Sequence, residues 1–311
     1  MLVKEKKSNL IKQVEGMEPF IGNTPLFPVQ GFVKNPAVSL WAKLEWTQVG
    51  CSVKARPAFN IIKEAILAGH LDGTKHLLDA SSGNTGVAYG AIGAALGIPI
   101  TLCLPENASE QKISALTYFG VEIIYTSRFD GTDGAQEKAV ELAAKYPEKY
   151  FYADQYANDN NWRSHYNSTA HEIYKQTKGE LTHFAAALGT TGTFVGTSRK
   201  LKELDEEIQV VALHPDSALH GLEGWKDLET AKVPKIYDGK LADNNLKVST
   251  EEAYELVKVT AKKTGLLLSP SSAGALAGAI KLAEQIDKGV VVTVFPDHGS
   301  NYPEVLRELI K

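Results

Sequence analysis

Short apolar runs alternate along this chain with stretches whose apolar residues return at helical spacing. Runs at 40–46, 76–79, 100–104 and 121–125 read as strands, and the patterns at 57–69, 87–96, 109–119 and 134–145 read as helices. The helix near Pro57 shows the logic. Proline needs no N–H partner in a first turn, Phe59, Ile62 and Ile66 share one face, and Gly69 is a stop signal. A strand at 150–153 and a polar connector at 154–163 come next. A second alternation follows: helix 165–177, strand 182–188, helix 194–204 and strand 208–213. Helix 250–263, strand 266–268, helix 272–286 and strand 290–295 complete it. The stretch 215–246 has weak periodicity and several Gly, Pro and Asp, which marks a long functional loop. Near the start, Gly22-Asn23-Thr24-Pro25-Leu26 is a turn leading into an extended segment, because a residue before proline avoids helix. Short apolar strands joined by helices predict an α/β fold with parallel strands and crossovers on both sheet faces.

Composition narrows the class. The 311 residues suit about two domains. With 43% hydrophobic and 23% charged residues the chain reads as globular, and a formal charge of -4 gives no general attraction for nucleic acid. The uncharged stretch from Gly86 to Pro105 has the length of a membrane span. It holds Gly90, Gly93, Gly97 and Pro99, however, and divides into a helix and a strand. The opening MLVKEKKSNL lacks a signal-peptide core and is expected to be a frayed, cytoplasmic start. Cys51 and Cys103 are the only cysteines and lack metal-ligand spacing, which suits free thiols in a reducing compartment and predicts no metal.

Candidate chemistry gathers at Lys54, in QVGCSVKARP, and at three loops that each join a strand to a helix. Ser81-Ser82-Gly83-Asn84-Thr85-Gly86 offers hydroxyls, an amide and helix-start N–H groups, which suit a carboxylate or phosphate, or else cap the helix. Gly189-Thr190-Thr191-Gly192-Thr193 repeats the design as a phosphate cup without the lysine of a nucleotide-binding loop. Leu268-Ser269-Pro270-Ser271-Ser272-Ala273-Gly274 taken alone reads as a cap, but beside a lysine and a phosphate cup its serines suit a ring nitrogen. A lysine amine, a phosphate cup and carboxylate-binding hydroxyls together describe a site for pyridoxal 5′-phosphate (PLP). A small-anion-binding protein without catalysis would keep the cups but have no use for Lys54. A serine hydrolase lacks its GxSxG, and the His171-Glu172 pair lacks a second histidine for zinc.

The motifs GNTPL at Gly22, KLE at Lys43, SVKAR at Ser52, SSGNTG at Ser81, HY at His165, GTTGT at Gly189 and PSSAGA at Pro270 carry a resemblance. In this order, over nearly the whole chain, they resemble the cysteine synthase and cystathionine β-synthase family of fold-type II PLP enzymes. The doubled threonine in HFAAALGTTGT is closer to the cysteine synthase B branch than to the branch carrying GTGGT. The resemblance implies two doubly wound open-sheet α/β domains, tryptophan synthase β-like. A smaller mobile one, at 46–153, carries Lys54 and the SSGNTG loop; a larger one, at 1–45 and 154–311, carries the phosphate cup.

It implies Lys54 as Schiff-base lysine and general base, with Asn84 at the cofactor's ring oxygen. Gly189, Thr190, Thr191, Gly192 and Thr193 would surround the phosphate, and Ser271 would bond the pyridine nitrogen, with Ser272 as the neighbouring alternative. Ser81, Ser82, Thr85 and Gln155 are assigned the substrate carboxylate. A serine at the ring nitrogen leaves it unprotonated, which favours β-elimination over transamination. The implied activity is PLP-dependent synthesis of L-cysteine from an O-activated serine and sulfide through an aminoacrylate, with O-acetylserine or O-phosphoserine as donor. A cysteine β-lyase, a lanthionine- or serine-forming enzyme releasing hydrogen sulfide, and a cystathionine β-synthase are the alternatives. The implied partners are a small amino acid and sulfide or a thiol, in a cytoplasmic homodimer without nucleic acid or membrane.

The chain departs from the family pattern in places. QVGCSVKAR stands where NPTGSVKDR is usual, so Ala55 replaces a common aspartate and Cys51 a glycine or similar residue; Ala273 replaces a usual glycine. Asp297 and His298 occupy a variable position, and His220, Glu223, Trp225 and Lys226 lie in the loop expected to shape the substrate pocket. A cation there, from Lys226 or Arg163, would suit a phosphorylated serine.

Overall fold

The computed structural model describes residues 2–309, with side chains described for 8–309. In chain order the elements begin with α1 Leu2–Met17, β1 Leu26–Pro28, β2 Val38–Leu44, α2 Ala55–Leu67, β3 His76–Ala80 and α3 Asn84–Leu96. Next come β4 Ile100–Pro105, α4 Glu110–Tyr118, β5 Glu122–Thr126, α5 Gly131–Lys145, β6 Tyr150–Tyr152 and α6 Asp159–Ser164. A single π-helical turn, His165–Thr169, leads into α7 Ala170–Gln176. The rest is β7 His183–Ala187, α8 Gly192–Leu204, β8 Gln209–Pro215, β9 Asn244–Val248, α9 Thr250–Thr264, α10 Pro270–Glu284, β10 Gly289–Phe295 and α11 Pro303–Leu309.

The chain forms two compact units, Met1–Gly22 with Gln48–Asn161 and Asn23–Thr47 with Trp162–Lys311. The first holds an all-parallel sheet in the order β5-β4-β3-β6. Because side chains alternate along a strand, Leu77, Leu102 and Leu104 pack with Ile62, Ala88 and Ile92 from α2 and α3. Leu78, Ala80 and Cys103 face the other way, onto Ala135 and Ala139 of α5. Helices thus cover both faces, as a parallel sheet requires. The second unit holds a sheet in the order β1-β2-β10-β7-β8-β9, parallel except for the antiparallel edge strand β1. One layer of its core joins Leu40, Ala42, Ala185, Val211 and Val291 to Ala253, Val257 and Leu276 from α9 and α10.

Several expectations change. The N-terminal stretch expected to fray is helical over Leu2–Met17, because Leu10 and Val14, four residues apart, are buried in the first unit's core. That burial groups residues up to Gly22 with the first unit, whereas the sequence reading drew the limits at 46–153 and at 1–45 with 154–311. The connector at 154–163 is partly helical, since α6 runs through the π turn into α7. The expected strand 266–268 is reduced to one bridge, Leu268 to His298, because α9 runs on to Thr264 and its left-handed cap Gly265 leaves too few residues. The helix α11 had no counterpart in the sequence reading. The uncharged stretch after Gly86 forms α3 and β4, and no helix among the described residues is long and apolar enough to cross a membrane.

A buried charge fixes one edge of the second sheet. Lys43 on β2 is fully buried; its Nζ donates to the Thr24 carbonyl at 2.6 Å and to Gln176 Oε1 at 3.0 Å and pairs with Glu172 at 2.7 Å. Breaking a buried pair strands its partner, at a cost of about 3–5 kcal/mol. Lys43→Met should therefore lower stability to urea by about 3 kcal/mol, and adding Glu172→Gln should recover part of the loss. Equal stability of the single variant and the wild type would show that the ion pair is dispensable.

Candidate active site

In the first unit the chemistry collects at the carboxyl ends of β3 and β6, which are neighbours in the sheet. After β3 the chain turns through Ser81 and Ser82 into α3. Ser81 Oγ accepts the N–H groups of Gly83, at 3.3 Å, and Gly86, at 3.0 Å. This hydroxyl therefore does the capping work while keeping its own proton to donate. A Cβ on Gly86 would stand 2.9 Å from both the Ser81 carbonyl and Leu102, so only glycine lets the helix start this close to the strand. After β6, Gln155 turns back toward the same loop. Its Nε2 donates to the Ala80 carbonyl at 3.0 Å, and its Oε1 accepts the Thr85 hydroxyl at 2.7 Å. Four of the sequence-predicted residues of this unit, Ser81, Ser82, Thr85 and Gln155, thus lie on two adjoining strand ends. Asn84 is the first residue of α3.

Lys54 directly precedes α2. Its carbonyl accepts the Ala58 N–H at 3.0 Å, and its own N–H reaches Ser52 Oγ at 3.3 Å. The helix starts two residues before Pro57, which still falls in the first turn, where no N–H is needed. Cys51, three residues earlier, is exposed and holds a left-handed φ of 50°, a conformation that favours the glycine-like residue usual there.

Sequence reasoning missed Asp79, the last but one residue of β3. It is wholly buried, with Oδ1 accepting the Ala80 N–H at 2.8 Å and Oδ2 the Gln155 N–H at 3.3 Å. It thus ties the two strand ends together. An acidic residue inside an apolar strand just before a polar loop was the available signal.

In the second unit the cup Gly189–Thr193 follows β7. Thr191 has φ 70°, ψ -9°, a left-handed conformation that strains a β-branched residue. Its hydroxyl is buried without a hydrogen-bond partner, and it gives α8 no side-chain cap. A Cβ on Gly189 would stand 2.2 Å from the Gly224 carbonyl, so loop and cup meet backbone to backbone. The Lys226 N–H donates to the Leu188 carbonyl at 2.7 Å beside them. Thr193 Oγ1 lies 3.3 Å from His165 Nε2, and His165 Nδ1 lies 2.9 Å from Thr169 Oγ1. The HY motif therefore places a buried histidine against the cup, from a π-helical turn of the kind frequent at functional sites.

The serines of the third loop divide their roles. Ser269 caps α10 by accepting the Ser272 N–H at 3.0 Å, and its own hydroxyl donates to Asp297. Ser272 donates to the Asp297 carbonyl at 2.7 Å. Tyr302 also donates to the Asp297 carboxyl, so Asp297 is a buried structural anchor. Ser271 is different: its Oγ accepts the Trp225 indole N–H at 2.9 Å. Arg163 is exposed, its guanidinium over the Trp162 ring at 5.4 Å.

Glycine-rich helix starts at the carboxyl ends of parallel strands are where open α/β proteins take anionic ligands. Comparisons with known proteins give the family. The chain belongs to the pyridoxal-phosphate dependent enzymes, a family whose description matches residues 17–297. A cysteine synthase from Aquifex aeolicus is 43% identical over 298 residues, covering 94% of this chain and 91% of that protein. A cysteine synthase B from Pseudomonas aeruginosa is 36% identical over 284 residues, covering 91% and 93%. The crystal structure of a hydrogen sulfide-producing enzyme from Fusobacterium nucleatum superposes with a TM-score of 0.89 at 29% identity, covering 96% and 92%. The second unit fits the cofactor: the orphaned Thr191 hydroxyl and the first-turn N–H groups of α8 suit a phosphate, and Ser271 suits a ring nitrogen.

The Asp79 anchor predicts a pH dependence. Burial pushes its carboxyl from an ordinary 3.8 up to about 7, against the pull of the Ala80 N–H. A raised folded value means that the folded chain holds a proton the unfolded chain has lost. The resulting stability is fully present below about pH 4 and disappears as pH rises toward about 7. Across that window the wild type should lose roughly 1.4 kcal/mol per pH unit relative to Asp79→Asn, measured by urea unfolding. Parallel curves for the two proteins would show that Asp79 titrates normally.

Proposed function

We propose that this chain makes L-cysteine by β-replacement, joining sulfide to a serine whose side-chain oxygen carries a leaving group, with O-acetylserine as the first candidate donor. The observation that carries this reading is the 43% identity with a cysteine synthase across 94% of the chain. Bound PLP supplies an aldehyde for the amino group and a conjugated ring that accepts electron density from Cα. The chain's own residues do the rest. The Lys54 amine holds the cofactor between turnovers, removes the Cα proton and returns a proton when product leaves. Ser81 and Ser82 donate to the substrate carboxylate through their hydroxyls and Thr85 through its first-turn N–H, its hydroxyl being spent on Gln155 Oε1 at 2.7 Å, which holds Gln155 beside the same loop. Gly189, Thr190, Thr191, Gly192 and Thr193 hold the phosphate, Asn84 orients the ring through its oxygen, and Ser271 meets the ring nitrogen. With Ser272 already donating to the Asp297 carbonyl, Ser271 is the better of the two serines for that task. The enzyme works as a cytoplasmic homodimer in this reading.

A second reading has its own support. The similarity to a hydrogen sulfide-producing enzyme favours the reverse use of the same groups, with cysteine as donor and sulfide as leaving group. The purified protein should be yellow and lose its blue-absorbing band on borohydride treatment, with the label recovered on the peptide containing Lys54. Lys54→Ala should lose the trappable band, and turnover should fall by ~10³-fold or more, the scale of a positioned general base. A trappable band that survives in this variant would remove Lys54 from the role. Mixing the protein with O-acetylserine, O-phosphoserine, serine or cysteine, with and without sulfide, separates the two directions. Faster sulfide release from cysteine than cysteine formation from O-acetylserine would overturn the synthetic assignment.

A further inference from the structure

Trp225 lies in the long loop between β8 and β9, and neither its ring nor its hydrogen bond belongs to any role assigned so far. The indole is buried. Its N–H is a donor only, so at 2.9 Å it makes Ser271 Oγ the acceptor and turns the serine's own proton elsewhere. Among the described residues Ser271 has no other hydrogen-bond partner, so that proton has no protein acceptor. The neighbouring serines give no relief, since Ser269 and Ser272 are both engaged with Asp297. The ring is fixed on several sides. A Cβ on Gly274 would meet it at 3.0 Å, the Trp225 backbone N–H donates to the Leu222 carbonyl at 3.0 Å, and the next residue is tied to Leu188 just before the cup.

We propose that Trp225 is a positioning residue that fixes the Ser271 hydroxyl as a hydrogen-bond donor toward the ring nitrogen of PLP, an inference that rests on the reading of Ser271 given above. An unprotonated nitrogen accepts the serine proton, and the indole N–H and the Ser271 hydroxyl are then both satisfied. A protonated nitrogen would have to donate to the remaining lone pair of Ser271 and strand the serine's own proton in a buried site. The indole thus selects the unprotonated ring, the form that holds a carbanion less well and favours elimination over transamination. The loop expected to shape substrate choice therefore also sets the electronic state of the cofactor.

The test titrates apoprotein with PLP and with the analogue in which the ring nitrogen is replaced by C–H. Wild type should bind PLP more tightly than the analogue. Trp225→Phe should weaken PLP binding by about fivefold, the scale of one hydrogen bond, and leave the analogue's affinity within twofold. Replacing Trp225 with benzothienylalanine, which keeps the shape and lacks the N–H, should do the same and controls for packing. In a Ser271→Ala background neither change should have a further effect on PLP. Equal weakening of both ligands, or no weakening of PLP by either replacement, would overturn the inference while leaving PLP binding intact. If wild-type apoprotein forms no borohydride-trappable complex with PLP, the cofactor reading itself fails, and this inference with it.

Discussion

The opening turn of α8 is the constraint on which the second unit depends. A helix leaves its first N–H groups without intrahelical partners, and most sequences supply a side chain for them. Three helices of this chain have one: Ser109 caps α4, Ser249 caps α9 through a reciprocal box with Glu252, and Ser269 caps α10. At α8 hydroxyls stand on both sides of the start, yet the cap residue Thr191 makes no such bond and its hydroxyl is buried unpaired. Unmet donors beside the buried Thr190 and Thr191 are costly unless something anionic completes them. The phosphate of PLP is the group proposed for that place.

The same residue carries backbone strain. A threonine at φ 70° costs on the order of 1–3 kcal/mol over a glycine, which would adopt it freely. The branch with GTGGT puts glycine at this position, so threonine here adds a hydroxyl at the expense of local stability. Strain and orphaned polarity fall on one residue, and a ligand that accepts from the hydroxyl offsets both. Gly189 contributes differently, because its missing Cβ lets the Gly224 carbonyl approach. That contact brings the 222–226 loop, and with it Trp225, to the cup.

The fold was legible where periodicity was strong. Strands such as 100–104 and 290–295, apolar but for one threonine each, and helices bounded by Gly97 or Gly265 emerged within a few residues of their structural limits. What failed was decided by tertiary contact. Leu2–Met17 has charged residues over much of its length, and only the burial of Leu10 and Val14 makes it a helix worth forming. The stretch 266–268 is apolar and short, and such a run cannot distinguish a strand from a segment buried beside one. The π turn at His165 leaves no mark on spacing, because a single added residue lies within the tolerance of a helical pattern.

The site was legible as motifs but not as hydrogen bonds. Lysine, glycine-threonine cup and serine loop stand out as candidates because each residue type is tied to one kind of chemistry. The local sequence does not choose between Ser271 and Ser272, since the two are identical and adjacent. Structure separates them through the direction of each proton. Ser272 donates to the Asp297 carbonyl and is finished, whereas Ser271 receives a proton from Trp225, forty-six positions away, and keeps its own. A residue's capacity to donate is set by what donates to it, and that depends on a partner the local sequence does not contain. Asp79 follows the same rule. Its carboxyl joins neighbouring residues of two strands far apart in the chain, and only the parallel pairing of β3 with β6 turns a buried acid into the link that orients Gln155 and, through it, Thr85.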